Sequence, residues 1–207
     1  MGVQMLQIIA QKTFKTIPWK NGLGETTELA INDGGTLANF DWRLSIASVV
    51  SDGVFSDFSG YQRNLVLISG QGIMLKHDAK IADNLTNLLD VANFDGANKT
   101  YGELTEGPIK DFNIITDTKK ISAQVGCHTN AEKVTVHLHE QCLYFAYSLT
   151  GEIIVNLADK QNITVPQGDL LKVSAIDNAE SNGQLTFNLS GENMILIHLK
   201  QIEGVAI

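Results

Sequence analysis

The chain contains 207 residues, of which 43% are hydrophobic, and it carries a formal net charge of −8. A chain of this length and composition can bury one large β core or two smaller ones. The acidic balance excludes the nucleic-acid-binding class, because no basic patch is available to neutralise phosphates. No apolar run approaches the roughly 18 residues that a membrane span requires.

The N-terminal segment and the cysteines predict a cytoplasmic protein. Residues 1–15 lack the charged, then apolar, then small-residue order of an export signal. Cys127 and Cys142 are the only cysteines, and neither belongs to a CxxC pair. We expect free thiols in a reducing compartment, with a bridge between the two left open.

In chain order, the first predicted strand covers residues 6–10, and a shaped loop follows it. A proline, two glycines and an asparagine within residues 17–24 cannot propagate a helix and make a tight turn instead. In this loop, Trp19 is predicted to wall a small pocket, and Lys20 and Asn21 to present a cation and an amide to a ligand. The alternative is that the tryptophan only anchors the N-terminal strand to the core.

The next stretch, residues 40–70, contains the only two arginines of the chain, Arg43 and Arg63. Each lies in a strand-like apolar pattern, where a guanidinium is costly unless an anion meets it. Alternation places Ser45 on the same strand face as Arg43. The loop over residues 51–62 predicts that the two strands are antiparallel neighbours. We therefore predict an anion site formed by both guanidiniums, the alternative being surface ion pairs.

Two further segments complete this half of the chain. Residues 72–76 are predicted to form a hairpin with the preceding strand, and residues 107–116 to form a turn and a strand. The alternation of that last strand puts Asp111 and Asn113 on one face. Asp111 is predicted to neutralise and orient an arginine such as Arg43, or else to take a proton from a substrate amide or imine.

From residue 119 onward, short strands alternate with turn signals every eight to twelve residues or so, which is typical of a sandwich or barrel. The predicted strands are 133–139, 143–149, 151–157, 162–165, 170–173, 185–189 and 194–199. No long helix is required anywhere. We predict an all-β protein with two small barrels, an N-terminal one over residues 1–118 that carries the ligand site and a C-terminal one over residues 119–207.

Two motifs resemble those of cupins, which are small jelly-roll barrels. The segment Pro166-Gln167-Gly168-Asp169 is similar to the tight corner of the second cupin motif. Gly70 follows Arg63 by seven residues, which is the spacing of the metal-binding glutamate and the turn glycine in the first motif. At the positions where metal-binding cupins place their ligands, this chain has Ser56, Phe58, Arg63 and Leu171. Such a set does not hold a divalent cation, so we expect neither a metal nor another cofactor.

The remaining metal candidate is the pair His137 and His139, which share one face of a predicted strand. No glutamate follows at Leu143 or Tyr144, where the cupin pattern would place one. Two imidazoles fall short of the usual three or four ligands. We interpret the pair as polar residues on a solvent-facing strand.

Four motifs that cover most of residues 17–116 resemble the HutD/Ves family of metal-free bicupins. In order they are Pro18-Trp19-Lys20-Asn21-Gly22-x-Gly24-x-Thr26, Trp42-Arg43-x-Ser45-x-Ala47, Gly53-x-Phe55-Ser56-x-Phe58-x-Gly60-x-x-Arg63 and Gly107-Pro108-x-x-Asp111-Phe112-Asn113. The second half matches only in its strand pattern and its Pro-x-Gly-Asp corner. Departures from the family pattern are Leu23 in a run that is often all glycine, Val54 for a proline, and Tyr61-Gln62 for a more acidic pair.

The resemblance implies a small-molecule-binding protein with a regulatory role in histidine utilisation, whose suspected ligand is N-formyl- or formimino-glutamate. The two guanidiniums suit the two carboxylates of such a ligand. Trp19 and Phe58 would cover the aliphatic stem of the ligand. Asn21, Ser45 and Asn113 would form hydrogen bonds with its formyl or formimino end. The predicted ligand-binding residues are Trp19, Lys20, Asn21, Arg43, Ser45, Phe58, Arg63, Asp111 and Asn113.

Two other functions stay open at this point. One is a metal-independent cupin enzyme, an isomerase, lyase or amidohydrolase acting on a small carboxylate, with Asp111 or Lys20 as its base. The other is an interaction scaffold, because the exposed sheet edges of paired barrels often dimerise, which would make the protein a homodimer. No serine or cysteine nucleophile motif is visible, so the main prediction is a binder of a small anionic metabolite rather than an enzyme.

Overall fold

The computed structural model describes residues 4–20, 22–139, 141–157, 162–175 and 186–202. Within these ranges the only helix is a short 3-10 turn over Gln11–Thr13, and nearly everything else is strand, which confirms the all-β fold class. The strands are β1 (Gln4–Ile9), β2 (Lys15–Pro18), β3 (Gly24–Ile31), β4 (Trp42–Val49), β5 (Gly53–Val54), β6 (Tyr61–Ser69), β7 (Ile73–His77), β8 (Lys80–Leu85), β9 (Val91–Asp95), β10 (Thr100–Leu104), β11 (Ile109–Asp117), β12 (Ile121–His137), β13 (Cys142–Asn156), β14 (Asn162–Val165), β15 (Leu170–Ala175) and β16 (Thr186–Gln201). In the same ranges no helix has the length and apolar character that a bilayer crossing demands.

The chain divides into two compact units whose composition differs from the predicted domains. The first unit contains residues 14–122 together with residue 202, and the second contains residues 4–13 and 123–201. The N-terminal strand belongs to the second unit because β1 pairs with β15 along its whole length, from Gln4 opposite Ala175 to Ile9 opposite Leu170. The predicted boundary after residue 118 therefore lies close to the observed one, but the first strand was assigned to the other barrel.

The first unit is a sandwich of two sheets. One sheet has six strands in the order β2-β3-β4-β11-β6-β9, and the other has four in the order β5-β10-β7-β8. Apolar residues from both sheets meet in one core, among them Leu65 and Leu67 of the larger sheet and Ile73, Leu75 and Leu85 of the smaller one. Strands β4, β6 and β11 are buried along most of their length, as expected for the centre of a sheet.

Two pairings predicted for this unit are wrong. The arginine strands β4 and β6 are not neighbours, because β11 lies between them and pairs with both. Residues 72–76 do not form a hairpin with β6, because β7 pairs with β8 and β10 in the smaller sheet. Gly70 and Gly72, with φ of +99° and +123°, turn the chain from one sheet to the other in a conformation that other residues rarely adopt.

The second unit contains a six-stranded sheet in the order β1-β15-β13-β16-β12, with β14 paired to β13. Here the strands are longer than predicted: β13 joins the segments 143–149 and 151–157, because its ladder with β16 continues through a register shift between Thr150 and Ile154. The predicted tight corner is present, since Asp169 N–H donates to the carbonyl of Pro166 over 3.1 Å and Gly168 has φ of +82°.

Candidate functional site

A cavity of about 490 Å³ opens in the first unit, and its wall contains most of the predicted site. Eight predicted residues contribute to it: Trp19, Lys20, Arg43, Ser45, Phe58, Arg63, Asp111 and Asn113. The ninth, Asn21, lies outside the described residues. The structure thus brings together side chains that are far apart in the sequence, the most distant pair being Trp19 and Asn113, which are separated by 94 positions. That they bind a ligand stays a prediction.

Strand register explains why the two arginines share this cavity. Ile115 of β11 is paired with Arg43 on one side and with Arg63 on the other. Directly paired residues project to the same face of a sheet, and neighbouring strands lie about 4.8 Å apart, so the two arginine backbones are separated by about 10 Å. One small ligand can therefore reach both guanidiniums.

Arg43 is held by an acidic residue of the adjacent strand. Its Nε donates to Glu28 Oε2 over 2.8 Å, and the two side chains are only 6% and 21% exposed. Asp111, which was predicted to neutralise and orient an arginine such as Arg43, does not supply the carboxylate of Arg43, because that guanidinium is bound from the β3 side. The arginine whose charge acts on Asp111 is Arg63. Glu28 balances the charge of Arg43.

Arg63 lies in an aromatic cage. Its guanidinium carbon is 5.2, 5.4 and 5.1 Å from the ring centroids of Phe55, Phe58 and Phe94. Such rings attract a cation through their quadrupoles and exclude water from it. Burial lowers the pKa of Arg63 to about 10, with the charge of Asp111 opposing this shift. Arg63 thus remains a cation at neutral pH.

A chain of hydrogen bonds connects Arg63 to the fully buried Asp111. Arg63 Nη2 donates to Asn113 Oδ1 over 2.8 Å, and Asn113 Nδ2 donates in turn to Asp111 Oδ1. Burial raises the pKa of Asp111 to about 7, against the opposing effects of the Arg63 charge and the Asn113 hydrogen bond. Two buried atoms of this group have no partner within the protein, namely the donor Arg63 Nε and the acceptor Asp111 Oδ2.

The Trp19 loop is shaped by a close contact with a glycine. The indole Nε1 donates to Thr26 Oγ1 over 2.7 Å, and the backbone N–H of Trp19 donates to the carbonyl of Gly24 over 2.9 Å. A Cβ on Gly24 would lie 2.9 Å from the indole ring and 2.2 Å from the carbonyl oxygen of Ser48. Only a glycine therefore allows the indole to lie against β3. Lys20 is exposed beside it.

We expect the Gly24→Ala variant to lose about 1–3 kcal/mol of unfolding free energy, because the added methyl group would clash with the Trp19 indole and with the backbone carbonyl of Ser48. Urea denaturation of the purified variant measures this loss. Gly53→Ala is the matched control, since a Cβ there meets nothing within 4 Å. Its stability should stay within about 0.5 kcal/mol of wild type. Equal losses in the two variants would contradict this account of the loop.

Phe58 is positioned by its own loop. The ring lies edge-on to Phe40 and Tyr61 with centroid distances of 6.2 Å in both pairs. Asp57 Oδ1 accepts hydrogen bonds from the hydroxyl and the backbone N–H of Ser59, and these bonds lower the pKa of Asp57. This local turn holds Phe58 between the aromatic cluster and Arg63.

The histidine pair and the cysteines lie in other surroundings. His137 and His139 are exposed, and the hydroxyl of Tyr144 bridges the carbonyl of the first and the backbone N–H of the second. Among the described residues, no group of three or more His, Cys, Asp or Glu side chains is placed to hold a metal ion. Cys127 and Cys142 are free thiols, and burial raises the pKa of both, that of Cys127 to about 11.

Sequence reasoning missed four residues that line the cavity or contact its two arginines. Glu28 and Thr26 carried a usable signal, because they alternate on one strand face next to the Trp19 motif. Phe55 was visible within the Phe58 motif but had no assigned role. Phe94 gave no signal, since only the pairing of β9 with β6 brings it opposite Arg63.

Comparison with known proteins identifies a matching family model and several similar sequences. The family model described as HutD matches residues 11–197. An uncharacterised 21.2 kDa protein in the hutC 3' region of Pseudomonas putida is 35% identical over 123 residues, which is 59% of this chain and 64% of the relative. Protein Ves of Escherichia fergusonii is 36% identical over 108 residues, 52% of this chain and 56% of the relative. The matched stretch thus spans less than two thirds of these relatives.

Solved structures are similar over both units. HutD from Pseudomonas fluorescens SBW25, solved in a formate condition, has a TM-score of 0.78 at 28% identity and covers 96% of this chain and 100% of its own. A conserved protein of unknown function from Pseudomonas aeruginosa PAO1 has a TM-score of 0.82 at 26% identity, with 95% and 99% covered. The Ylba protein of Escherichia coli, at 14% identity and a TM-score of 0.66, shows the fold alone. The predicted all-β, cupin-like fold is confirmed.

Proposed function

This chain belongs to the HutD family, and from that premise we propose that it binds a small acidic metabolite in the arginine cavity and has a regulatory role in histidine utilisation. The location of the Pseudomonas putida relative in a hutC 3' region supports the link to histidine utilisation. The link to an acidic ligand is supported by the cavity itself.

The observation that carries the proposal is the unsatisfied positive charge of the cavity wall. Glu28 balances Arg43, whereas the carboxyl group whose charge acts on Arg63 is Asp111, which burial keeps partly protonated near neutral pH. Arg63 Nε is a buried donor with no acceptor in the protein. A buried, unpaired donor on a cation is costly, and an anionic ligand removes that cost. The surroundings of Arg63 therefore favour the binding of a ligand that carries a carboxylate group.

The size and lining of the cavity suit an acylated amino acid. Its volume of about 490 Å³ falls within the range of about 300–1,000 Å³ that is usual for small-molecule sites. Trp19 and Phe58 offer apolar surface for an aliphatic stem, and Ser45 and Asn113 offer polar groups. N-formylglutamate and formiminoglutamate combine two carboxylates with such a stem. Charge-assisted hydrogen bonds of about 1.5–3 kcal/mol each are compatible with micromolar binding.

A second candidate function is a metal-independent enzyme that acts on the same class of ligand. One observation favours it: Asp111 is a buried carboxyl group in the cavity wall with its pKa raised to about 7. General bases that operate at neutral pH are tuned in this way. The two candidates differ in one measurable respect, because only an enzyme changes the mass of its ligand.

One experiment separates these functions. The purified protein is incubated in metal-free buffer with N-formylglutamate, formiminoglutamate, glutamate and urocanate, and both the melting temperature and the ligand mass are recorded. We expect at least one of the two acylated ligands to raise the melting temperature without forming a product. A new product would favour the enzyme. If none of the four ligands shifts the melting temperature or changes mass, the proposal fails.

A further inference from the structure

The buried carboxyl group of Asp111 has little compensation for a negative charge. It is fully buried and belongs to none of the ion pairs that the described residues form. Its Oδ1 accepts a hydrogen bond from Asn113 Nδ2, which is held in turn by Arg63, whereas Oδ2 has no partner within the protein. Burial disfavours the ionised form, and the charge of Arg63 is the strongest effect that favours it. The ionised form of Asp111 therefore depends on the charge of Arg63.

The other charged or titratable groups around the cavity each have a partner or meet solvent. They are Arg43, Glu28, His77, Asp83, Lys20 and Asp52. Arg43 is bound to Glu28 over 2.8 Å, and His77 Nε2, which reaches into the sandwich from the smaller sheet, lies 3.1 Å from Asp83 Oδ2. Lys20 and Asp52 are exposed. Arg63 is thus the cation whose charge a bound anion and the Asp111 carboxylate would share.

An anion bound beside Arg63 changes this balance. It neutralises the guanidinium and repels the Asp111 carboxylate, and both effects favour the protonated carboxyl group. The influence is electrostatic and acts over several ångströms in a buried site, so it requires no contact between the ligand and Asp111. Given the proposed binding of an acidic metabolite, we propose that this binding is coupled to the uptake of one proton by Asp111. The arginine cavity then holds its ligand more tightly at acidic than at alkaline pH.

Thermodynamic linkage gives the direction of the effect. Burial raises the pKa of Asp111 from 3.8 to about 7 in the free protein, and the bound anion raises this pKa further. Between the pKa of the free protein and that of the complex, the complex keeps a proton that the free protein has released. Binding therefore takes up a proton in that range, and the affinity falls as the pH rises. The cavity responds to the metabolite and to pH together.

Isothermal titration with N-formylglutamate measures the coupling, because its carboxylates stay ionised from about pH 6 to about pH 8.5. We expect wild type to bind at least about fivefold more weakly at the alkaline end of this range. At about pH 7.5, titrations in two buffers with different enthalpies of ionisation count the protons, and we expect an uptake of about half a proton per ligand. The Asp111→Asn variant should take up none, and its affinity should vary by less than about twofold over the range.

The side-chain amide of Asn113 reports the same event without a variant. Its Nδ2–H group donates to Asp111 Oδ1, so its nitrogen-15 signal follows the ionisation of Asp111. The midpoint of its pH titration should rise by at least about one pH unit when N-formylglutamate is saturating. A midpoint that stays in place would overturn the inference even if Asp111→Asn does not fold.

The outcomes separate this inference from the proposed function. Binding of N-formylglutamate with equal affinity at both ends of the pH range, and without proton uptake, would overturn the coupling while leaving acidic-ligand binding intact. A folded Asp111→Asn variant that keeps the wild-type pH dependence would also overturn it, because another group would then take up the proton. If wild type binds N-formylglutamate at neither pH, the proposed binding of this ligand fails together with the inference.

Discussion

At about pH 8, the Asp111→Asn variant is expected to be more stable than wild type by as much as roughly 4 kcal/mol. The reason is the fully buried carboxyl group, whose pKa rises from 3.8 to about 7 in the folded protein. Between these pH values the folded protein keeps a proton that the unfolded chain releases. The stability contributed by this group is therefore fully present below pH 3.8 and is lost as the pH rises through about 7. The neutral asparagine side chain resembles the protonated carboxyl group of Asp111, so the variant does not lose this stability as the pH rises.

Urea unfolding of both proteins from about pH 5 to about pH 8 measures the effect. The two stabilities should approach each other at the acidic end and separate as the pH rises. Asp33→Asn is the matched control, because Asp33 is an exposed carboxylate in the same unit. Its stability should stay within about 0.5 kcal/mol of wild type. A wild-type protein that gains stability relative to Asp111→Asn as the pH rises would show that Asp111 is not a desolvated acid.

The Arg63→Met variant is expected to bind an acidic ligand at least about 100-fold more weakly, a loss of about 3 kcal/mol. The substitution removes the unpartnered Nε donor and the cation that the ligand neutralises. It retains an apolar side chain among Phe55, Phe58 and Phe94, where a thioether packs well against the rings. The cage should therefore persist while the charge disappears.

Isothermal titration with N-formylglutamate at about pH 6 is the suitable measurement, because Asp111 is then largely protonated and is not left as an unpaired buried charge. Lys76→Met provides the control. It removes the same charge from the same unit, but Lys76 pairs with Glu103 and is absent from the cavity wall. Its affinity should stay within about twofold of wild type. Unchanged affinity in Arg63→Met would exclude Arg63 from the site.

The strand face on which each of these side chains lies could be predicted correctly from the sequence. A period of two places Arg43 and Ser45 on one face, and Asp111 and Asn113 on one face, whichever strands lie next to them. The structure places these four side chains in one cavity wall. Most of the candidate site therefore follows from local pattern and residue chemistry.

Strand neighbours could not be read in the same way. The loop between β4 and β6 suggested a direct pair, yet β11, which begins only at Ile109, inserts between them. Such pairings are decided by the packing of the whole sandwich, and no local pattern encodes them. The same limit hid Phe94 as a neighbour of Arg63 and led to the assignment of β1 to the wrong unit.

The central claim is that both guanidiniums meet the same acidic ligand, and the composition of the chain makes it directly measurable. Because the protein contains only two arginines, a nitrogen-15 spectrum of its arginine Nε–H groups has two signals, both from the cavity wall. Titration with N-formylglutamate should shift both signals along saturable curves with one shared dissociation constant. Saturable binding that leaves either signal in place would contradict the account.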